Sequence, residues 1–205
     1  MRAFDVVVLG GGPAGAAVAL ALSRRGYATV LIERSDYRSM RIGETLPPAI
    51  KKLLVGLGIW NQFLAAGHAR SPGNRSAWGG MKLQDDDLLF NPYGSGWHVD
   101  RQAFDSMLAG AAEGAGATVL RNARPLTCVQ TSGGRWRIEI AQADERRRID
   151  ARFAVDATGR SAWLARMNGA RRRSYDRLVG VVRFFEPSSP AAAADASTIV
   201  EAVQD

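Results

Sequence analysis

The first apolar run of the chain ends in glycines and is followed by a segment with helical periodicity. Residues 4–9 are largely β-branched, which predicts a strand buried on both faces. From Pro13 to Arg25 the apolar residues recur at helical spacing, and Gly26 suits the position after the last turn. Residues 28–33 form a second strand-like run. The pattern therefore predicts a βαβ unit whose strands are parallel, with a right-handed crossover.

The middle of the chain alternates between loop-like and helical patterns. Residues 34–48 are predicted to form an ordered loop, followed by short helices near 49–55 and 59–66. Residues 70–98 are rich in glycine and proline, which favours short strands and turns. A helix is predicted from about 101 to 115, because its apolar residues fall on one face and a glycine follows.

The following region has the period-two alternation of strands. Residues 118–120 resume the sheet, and three alternating segments near 125–131, 135–142 and 147–153 predict an antiparallel meander. The last of these runs into a strand that ends at Asp156. Together with the βαβ unit, these elements predict an α/β fold with a parallel central sheet and an antiparallel β-meander.

The pattern after Asp156 is less regular. It predicts a helix over 161–167, a strand over 177–186, a linker over 187–196 and the start of another strand over 198–203.

Composition indicates an ordinary soluble globular protein. The 205 residues are 46% hydrophobic and 23% charged, which argues against disorder. The single cysteine, Cys128, permits no intramolecular disulfide, so we expect a reducing, cytoplasmic environment. No apolar stretch approaches the roughly 20 residues needed to cross a bilayer, so we expect no membrane span.

The formal charge of +7 has its densest positive runs at residues 146–148 and 171–173. Neither run is interleaved with aromatic residues, so we interpret both as solvated charge and expect no nucleic-acid partner.

The turn after the first strand satisfies the pattern G-x-G-x-x-G, between a predicted strand and a predicted helix. In this motif the first glycine permits the tight turn, the second leaves space for a pyrophosphate, and the third allows close helix packing. The helix amino terminus adds free N–H groups and a positive dipole end. The candidate cofactor contacts here are Gly10, Gly12, Pro13, Ala14 and Gly15.

Glu33 ends the second predicted strand, where a carboxylate can accept hydrogen bonds from both hydroxyls of an adenosine ribose. The negative charge of this carboxylate would repel a 2′-phosphate on the ribose. Arg34 beside it is a second candidate contact, with a plain surface charge as the alternative. This pattern alone does not choose between FAD and NAD.

Four segments, in order along the chain, carry a resemblance to a known family. They are residues 10–15 with Glu33, residues 41–48, residues 101–108 and residues 156–161. In these segments the chain resembles the flavoprotein monooxygenase superfamily of the p-hydroxybenzoate hydroxylase type, especially its tryptophan-halogenase-like and geranylgeranyl-reductase-like branch. The resemblance implies a Rossmann-like FAD-binding domain with FAD as its cofactor.

The resemblance also implies site residues outside the glycine motif. Arg101 would lie by the FAD phosphates, Asp156 and Gly159 near the dinucleotide, and Arg41 and Glu44 beside the flavin. The alternatives are a surface arginine at a helix start, an ordinary strand-to-helix turn capped by Ser161, and two loop charges. No catalytic acid or base is assigned, and two histidines with one cysteine give no metal set.

The activity that the resemblance implies is hydroxylation of a small organic or aromatic substrate, with a flavin C4a-hydroperoxide as the oxidant. A flavin-dependent halogenase, a geranylgeranyl-reductase-like enzyme and a non-catalytic FAD-binding fragment of a split or truncated protein remain open. Electrons would come from NAD(P)H or from a separate flavin reductase.

The resemblance predicts how the chain divides. Residues 1–173 would form the FAD-binding domain, with residues 70–98 reaching towards the substrate side. Residues 174–205 would begin a substrate-binding domain that family members complete further downstream, so we expect a missing carboxyl-terminal half.

Overall fold

The computed structural model describes residues 3–78, 80, 82–88, 90–185 and 197–202. Its strands are, in chain order, β1 (Ala3–Leu9), β2 (Thr29–Ile32), β3 (Glu44–Leu46), β4 (Ala69–Ser71), β5 (Gly73–Trp78), β6 (Gln84–Asp87), β7 (Gly96–Val99), β8 (Thr118–Leu120), β9 (Ala123–Gln130), β10 (Trp136–Gln142), β11 (Glu145–Asp156) and β12 (Thr198–Ala202). Its α-helices are α1 (Pro13–Ser23), α2 (Ile50–Gly56), α3 (Trp60–Ala65), α4 (Arg101–Gly114) and α5 (Trp163–Met167).

The chain forms two compact units. The first comprises Met1–Met40 and Gln102–Arg177, and the second comprises Arg41–Arg101 and Leu178–Asp205.

The first unit is built on a six-stranded sheet in the order β8-β2-β1-β11-β10-β9. The first four of these strands are parallel neighbours, and β10 and β9 continue the sheet antiparallel. The predicted α/β fold, with a parallel central sheet and an antiparallel meander, is therefore confirmed. The 12-residue strand β11 joins the two parts, because it pairs with β10 along one edge and with β1 along the other.

The core of this unit lies on the parallel strands, as their apolar runs predict. Val7, Val8 and Leu9 of β1 and the residues of β2 are almost fully buried. Helix α1 buries the small residues Gly15, Ala16 and Ala19, which lets its backbone approach the sheet closely. The helix ends at Ser23, slightly earlier than predicted, and Gly26 follows it in the left-handed region with φ +83°.

The second unit contains two three-stranded sheets, in the orders β3-β7-β4 and β12-β5-β6. The strands and turns predicted over residues 70–98 are confirmed by β4 to β7. An aromatic cluster of Trp60, Phe63 and Trp97 packs with ring centroids 5.1 to 5.8 Å apart. His68 is buried against Phe63, and burial lowers the pKa of His68 although Asp100 opposes the shift.

Three local predictions need correction. The loop predicted over residues 34–48 contains the short strand β3, which forms because residues 44–46 pair with β7. The predicted helix over 161–167 begins at Trp163, after a 3₁₀ turn at Gly159–Ser161.

The third correction concerns the strand predicted over residues 177–186, because the described residues 177–185 form none. Bulky apolar residues alone do not make a strand, because a strand also needs a neighbouring strand that completes its hydrogen bonds. The apolar residues of this segment that are exposed are Leu178, Val179, Val181, Val182, Phe184 and Phe185.

The strand predicted to start near residue 198 is confirmed by β12, while the predicted linker over 187–196 lies outside the described residues. Within the described ranges, no helix combines the length and apolar character that a membrane crossing requires.

Candidate functional site

The carboxyl ends of three parallel strands meet at one edge of the first unit's sheet. Leu9 at the end of β1 is paired with Ile32 of β2 on one side and with Asp156 of β11 on the other. The glycine motif, Glu33 and the turn at residues 157–159 follow these three strand ends directly. Ligands of open α/β sheets bind beyond the carboxyl ends of the strands, so this edge is the candidate site.

Two glycines of the motif are required by contacts within the chain. Gly10 has φ +98°, and a β-carbon on it would collide with the carbonyl oxygen of Ala157. A β-carbon on Gly15 would collide with the carbonyl oxygen of Gly10. These contacts agree with the predicted tight turn and with the predicted close helix packing.

Gly12 is different, because no contact among the described residues requires a glycine there. Its φ is −68°, which any residue adopts, and no described residue beyond its two chain neighbours has a heavy atom within 4 Å of the position of a β-carbon. The space beside Gly12 is therefore open, at the amino terminus of α1. Gly12 has no side chain to cap this helix and Pro13 has no N–H, so Ala14 and Gly15 carry the first free N–H groups. This open space, with N–H donors beside it, fits a diphosphate.

Glu33 is 6% exposed, and its carboxylate is held beside the glycine turn. One oxygen accepts the N–H of Gly11 at 2.6 Å, and the other accepts the N–H of Ser35 at 3.0 Å and its hydroxyl at 2.6 Å. A carboxylate offers about four acceptor positions, so these bonds orient the group and leave little spare capacity. Arg34 beside it is exposed.

Asp156 organises the turn that follows β11. Its carboxylate accepts the N–H of Thr158 at 3.1 Å, the hydroxyl of Thr158 at 2.5 Å and the N–H of Ala165 at 3.0 Å. Desolvation by burial raises the pKa of Asp156, but these bonds and one from the backbone of Leu164 together hold that pKa below its ordinary value. Gly159 follows with φ +62° and open space beside it.

Ser161 does not cap helix α5, contrary to one alternative for this turn. The hydroxyl of Ser161 donates to the carbonyl of Thr158, whereas the hydroxyl of Thr158 accepts the N–H of Trp163 at 2.8 Å. Thr158 and Asp156 therefore supply the acceptors at this helix start.

The remaining candidates, Arg41, Glu44 and Arg101, belong to the second unit. Glu44 in β3 lies opposite Val99 in β7, which places it close to Arg101 at the start of α4. The Arg101 guanidinium donates to the Glu44 carboxylate at 2.8 Å. The Arg101 side chain is 17% exposed and that of Glu44 is 54% exposed. Arg41 is half-buried.

Tyr37 is a residue of this edge that the sequence motifs do not indicate. Tyr37 is 3% exposed and has φ +66°, and its hydroxyl donates to the carbonyl oxygen of Gly11 at 2.9 Å. One feature of the sequence could have indicated this contact. Position 11 is a glycine, although the dinucleotide motif allows any residue there.

Comparison with known proteins gives the family. The family model described as FAD dependent oxidoreductase matches residues 5–176. LodB of Marinomonas mediterranea, whose name describes an FAD-dependent oxidoreductase, is 31% identical over 90% of this chain and 50% of its own length. A 1H-pyrrole-2-carbonyl-[peptidyl-carrier protein] chlorinase of Pseudomonas fluorescens is 28% identical over 83% of this chain and 42% of its own.

Solved structures of flavoproteins share this fold. A flavoprotein/dehydrogenase from Cytophaga hutchinsonii superposes with a TM-score of 0.77 at 27% identity, covering 86% of this chain and 44% of its own. The flavin-dependent halogenase CmlS gives a TM-score of 0.73 at 25% identity, covering 82% and 32%. The chain spans about half the length, or less, of the proteins that it matches. On the match over residues 5–176, this chain belongs to the FAD-dependent oxidoreductase family.

Proposed function

We propose that this chain binds FAD at the carboxyl edge of the first unit's sheet and forms the cofactor-binding part of an enzyme that oxidises an organic substrate with O₂. The observation that carries the proposal is the open space at Gly12, which neither the backbone conformation nor packing against the described part of the chain explains. A bound diphosphate explains it, because its oxygens would come close to the backbone and accept the N–H groups at the start of α1.

Each residue of this edge has a role in binding rather than in proton transfer. Ala14 and Gly15 would donate N–H groups to the diphosphate, and Glu33 would accept one ribose hydroxyl. Asp156 would hold the turn that carries Gly159, a second open position. FAD, once bound, supplies the redox chemistry, while the chain orients the cofactor and shields it from water. We propose Arg34, Arg41, Glu44 and Arg101 as further contacts.

We further propose that residues 174–205 begin a substrate-binding domain. Residues 178–205 group with residues 41–101 in the second unit, and β12 pairs with β5 in parallel. This pairing supports a role for residues 70–98 on the substrate side. Because the relatives are about twice as long, the rest of such a domain would lie in a carboxyl-terminal portion.

The cofactor proposal is tested by the identity of the bound nucleotide. The purified chain is titrated with FAD, FMN and ADP, and binding is followed by flavin fluorescence and calorimetry. We expect FAD and ADP to compete for one site and FMN not to bind, because the proposed contacts are to the adenosine and the diphosphate that FMN lacks. Binding of FMN, or of no flavin, would contradict the proposal.

For the reaction we propose hydroxylation of a small organic or aromatic molecule. Halogenation is the second candidate, because several relatives are named as halogenases, chlorinases or brominases. The experiment uses the protein extended to the length of its relatives, with NAD(P)H or a flavin reductase as donor. Product mass with and without bromide separates the two reactions, and turnover without O₂ would contradict both in favour of a reductase.

A further inference from the structure

Both backbone polar groups of Gly11 are held by side chains of the turn that follows β2. Its N–H donates to Glu33 at 2.6 Å, and its carbonyl oxygen accepts the Tyr37 hydroxyl at 2.9 Å. Gly11, Glu33 and Tyr37 are all buried. Hydrogen bonds shielded from water are stronger than exposed ones, so these two bonds fix the peptide groups on either side of the Gly11 α-carbon.

The backbone of Tyr37 indicates that this arrangement is imposed by its surroundings. A bulky residue with φ of +66° is in a conformation that it rarely adopts, and such conformations persist only where surrounding contacts hold them. Strained positions of this kind cluster at ligand sites. Tyr37 lies next to the predicted ribose acceptor, four residues after Glu33 in the chain.

The identity of Gly11 is explained by the same contacts. A β-carbon on Gly11 would collide with the Tyr37 hydroxyl oxygen and would lie 2.7 Å from the β-carbon of Glu33. The dinucleotide motif itself leaves this position free. Gly11 is therefore required by the two side chains and not by the turn.

From this geometry we propose that Tyr37 is a positioning residue for the dinucleotide site, an inference that rests on the proposed FAD binding. Its hydroxyl holds the peptide group between Gly11 and Gly12, which leads directly into the open position at Gly12, and the preceding peptide group holds the Glu33 carboxylate through the Gly11 N–H. Tyr37 thus sets the ribose acceptor and the diphosphate turn in one fixed arrangement before the ligand arrives. Preorganisation of this kind raises affinity by lowering the cost of ordering on binding.

The first test compares Tyr37→Phe with Tyr27→Phe, which removes a hydroxyl from a tyrosine that is 49% exposed. Affinity for FAD and for ADP is measured at a temperature at which each variant is fully folded. We expect Tyr37→Phe to weaken both ligands roughly three- to tenfold, the size of one neutral hydrogen bond, and Tyr27→Phe to weaken neither. A purely structural role would lower the melting temperature of the free chain and leave both affinities unchanged, which would overturn the inference.

The second test is a double-mutant cycle of Gly11→Ala and Tyr37→Phe. Gly11→Ala alone should weaken FAD strongly, and adding Tyr37→Phe should recover part of that loss, because the oxygen that meets the new methyl group is gone. The same coupling should appear in the free energy of unfolding of the chain without FAD. Additive effects in both measurements would contradict the proposed contact.

The two proposals fail in different ways. If the unaltered chain binds neither FAD nor ADP, the proposed function is wrong and the role of Tyr37 falls with it. If the unaltered chain binds FAD and Tyr37→Phe binds it equally well, the proposed function stands and only the role of Tyr37 is wrong.

Discussion

Arg101 at the start of α4 donates a hydrogen bond of 2.8 Å to Glu44 in β3, although the two residues lie 57 positions apart in the chain. A positive charge at a helix amino terminus opposes the helix dipole, and the Glu44 carboxylate compensates for it. This partner explains Arg101 without any ligand. The proposed phosphate contact therefore needs a test that separates the two roles.

We predict that Arg101→Gln weakens FAD binding at least about tenfold, as expected for loss of a charge-assisted hydrogen bond. Arg137→Gln is the matched control, because Arg137 forms an ion pair of 3.0 Å with Asp150 and is not among the proposed cofactor contacts. It should leave the affinity for FAD unchanged and lower the free energy of unfolding by less than about 1 kcal/mol, since the Arg137 side chain is 42% exposed. Unchanged affinity for FAD in Arg101→Gln as well would show that Arg101 serves only Glu44.

Asp156 gives a prediction for pH. Its folded pKa lies below the ordinary value of 3.8, so its contribution to stability is fully present above that value. The contribution is lost as the pH falls through the lowered folded pKa. Asp156→Asn should therefore reduce the melting temperature at pH 7 and reduce it less at pH 3. A difference that is the same at both pH values would mean that the ionised carboxylate does not stabilise this turn.

Cys128 gives a direct test of the core of the first unit. The thiol is 3% exposed in β9, and burial raises its pKa to about 11. The thiolate is the reactive form, so Cys128 should not react with an aromatic disulfide reagent at pH 8 in the folded chain. One thiol per chain should react after unfolding in guanidinium. Rapid reaction of the native protein would indicate that the sheet is open at β9.

The first unit could be predicted from sequence because its signals are local. The apolar run of β1, the glycine turn and the periodicity of α1 lie within 23 residues, so each element supports the assignment of the next. Because the signals are local, the pattern also predicted that Glu33 lies at the end of the second strand, and it directly follows β2.

Contacts between distant parts of the chain could not be predicted. Strand β3 has only three residues, and it exists because β7 pairs with it. Residues 177–185 show the converse, since their bulky apolar pattern predicts a strand and they form none. Tyr37 was missed because neither its positive φ nor its contact with Gly11, 26 positions away, leaves a pattern in the sequence.

The proposed function places the FAD diphosphate in the open space at Gly12. Gly12→Val fills that space, and its matched control is Gly110→Val in α4, where the new β-carbon also meets no described heavy atom within 4 Å outside its own helix. Because Gly12 has φ of −68°, the substitution introduces no backbone strain, and both variants should keep the circular dichroism spectrum of the unaltered chain.

The decisive measurement is the affinity of these two folded variants for FAD, determined by calorimetry beside the unaltered chain. We expect Gly110→Val to bind FAD as the unaltered chain does and Gly12→Val to show no measurable binding. Unchanged FAD affinity in a folded Gly12→Val chain would mean that the diphosphate does not lie beside Gly12.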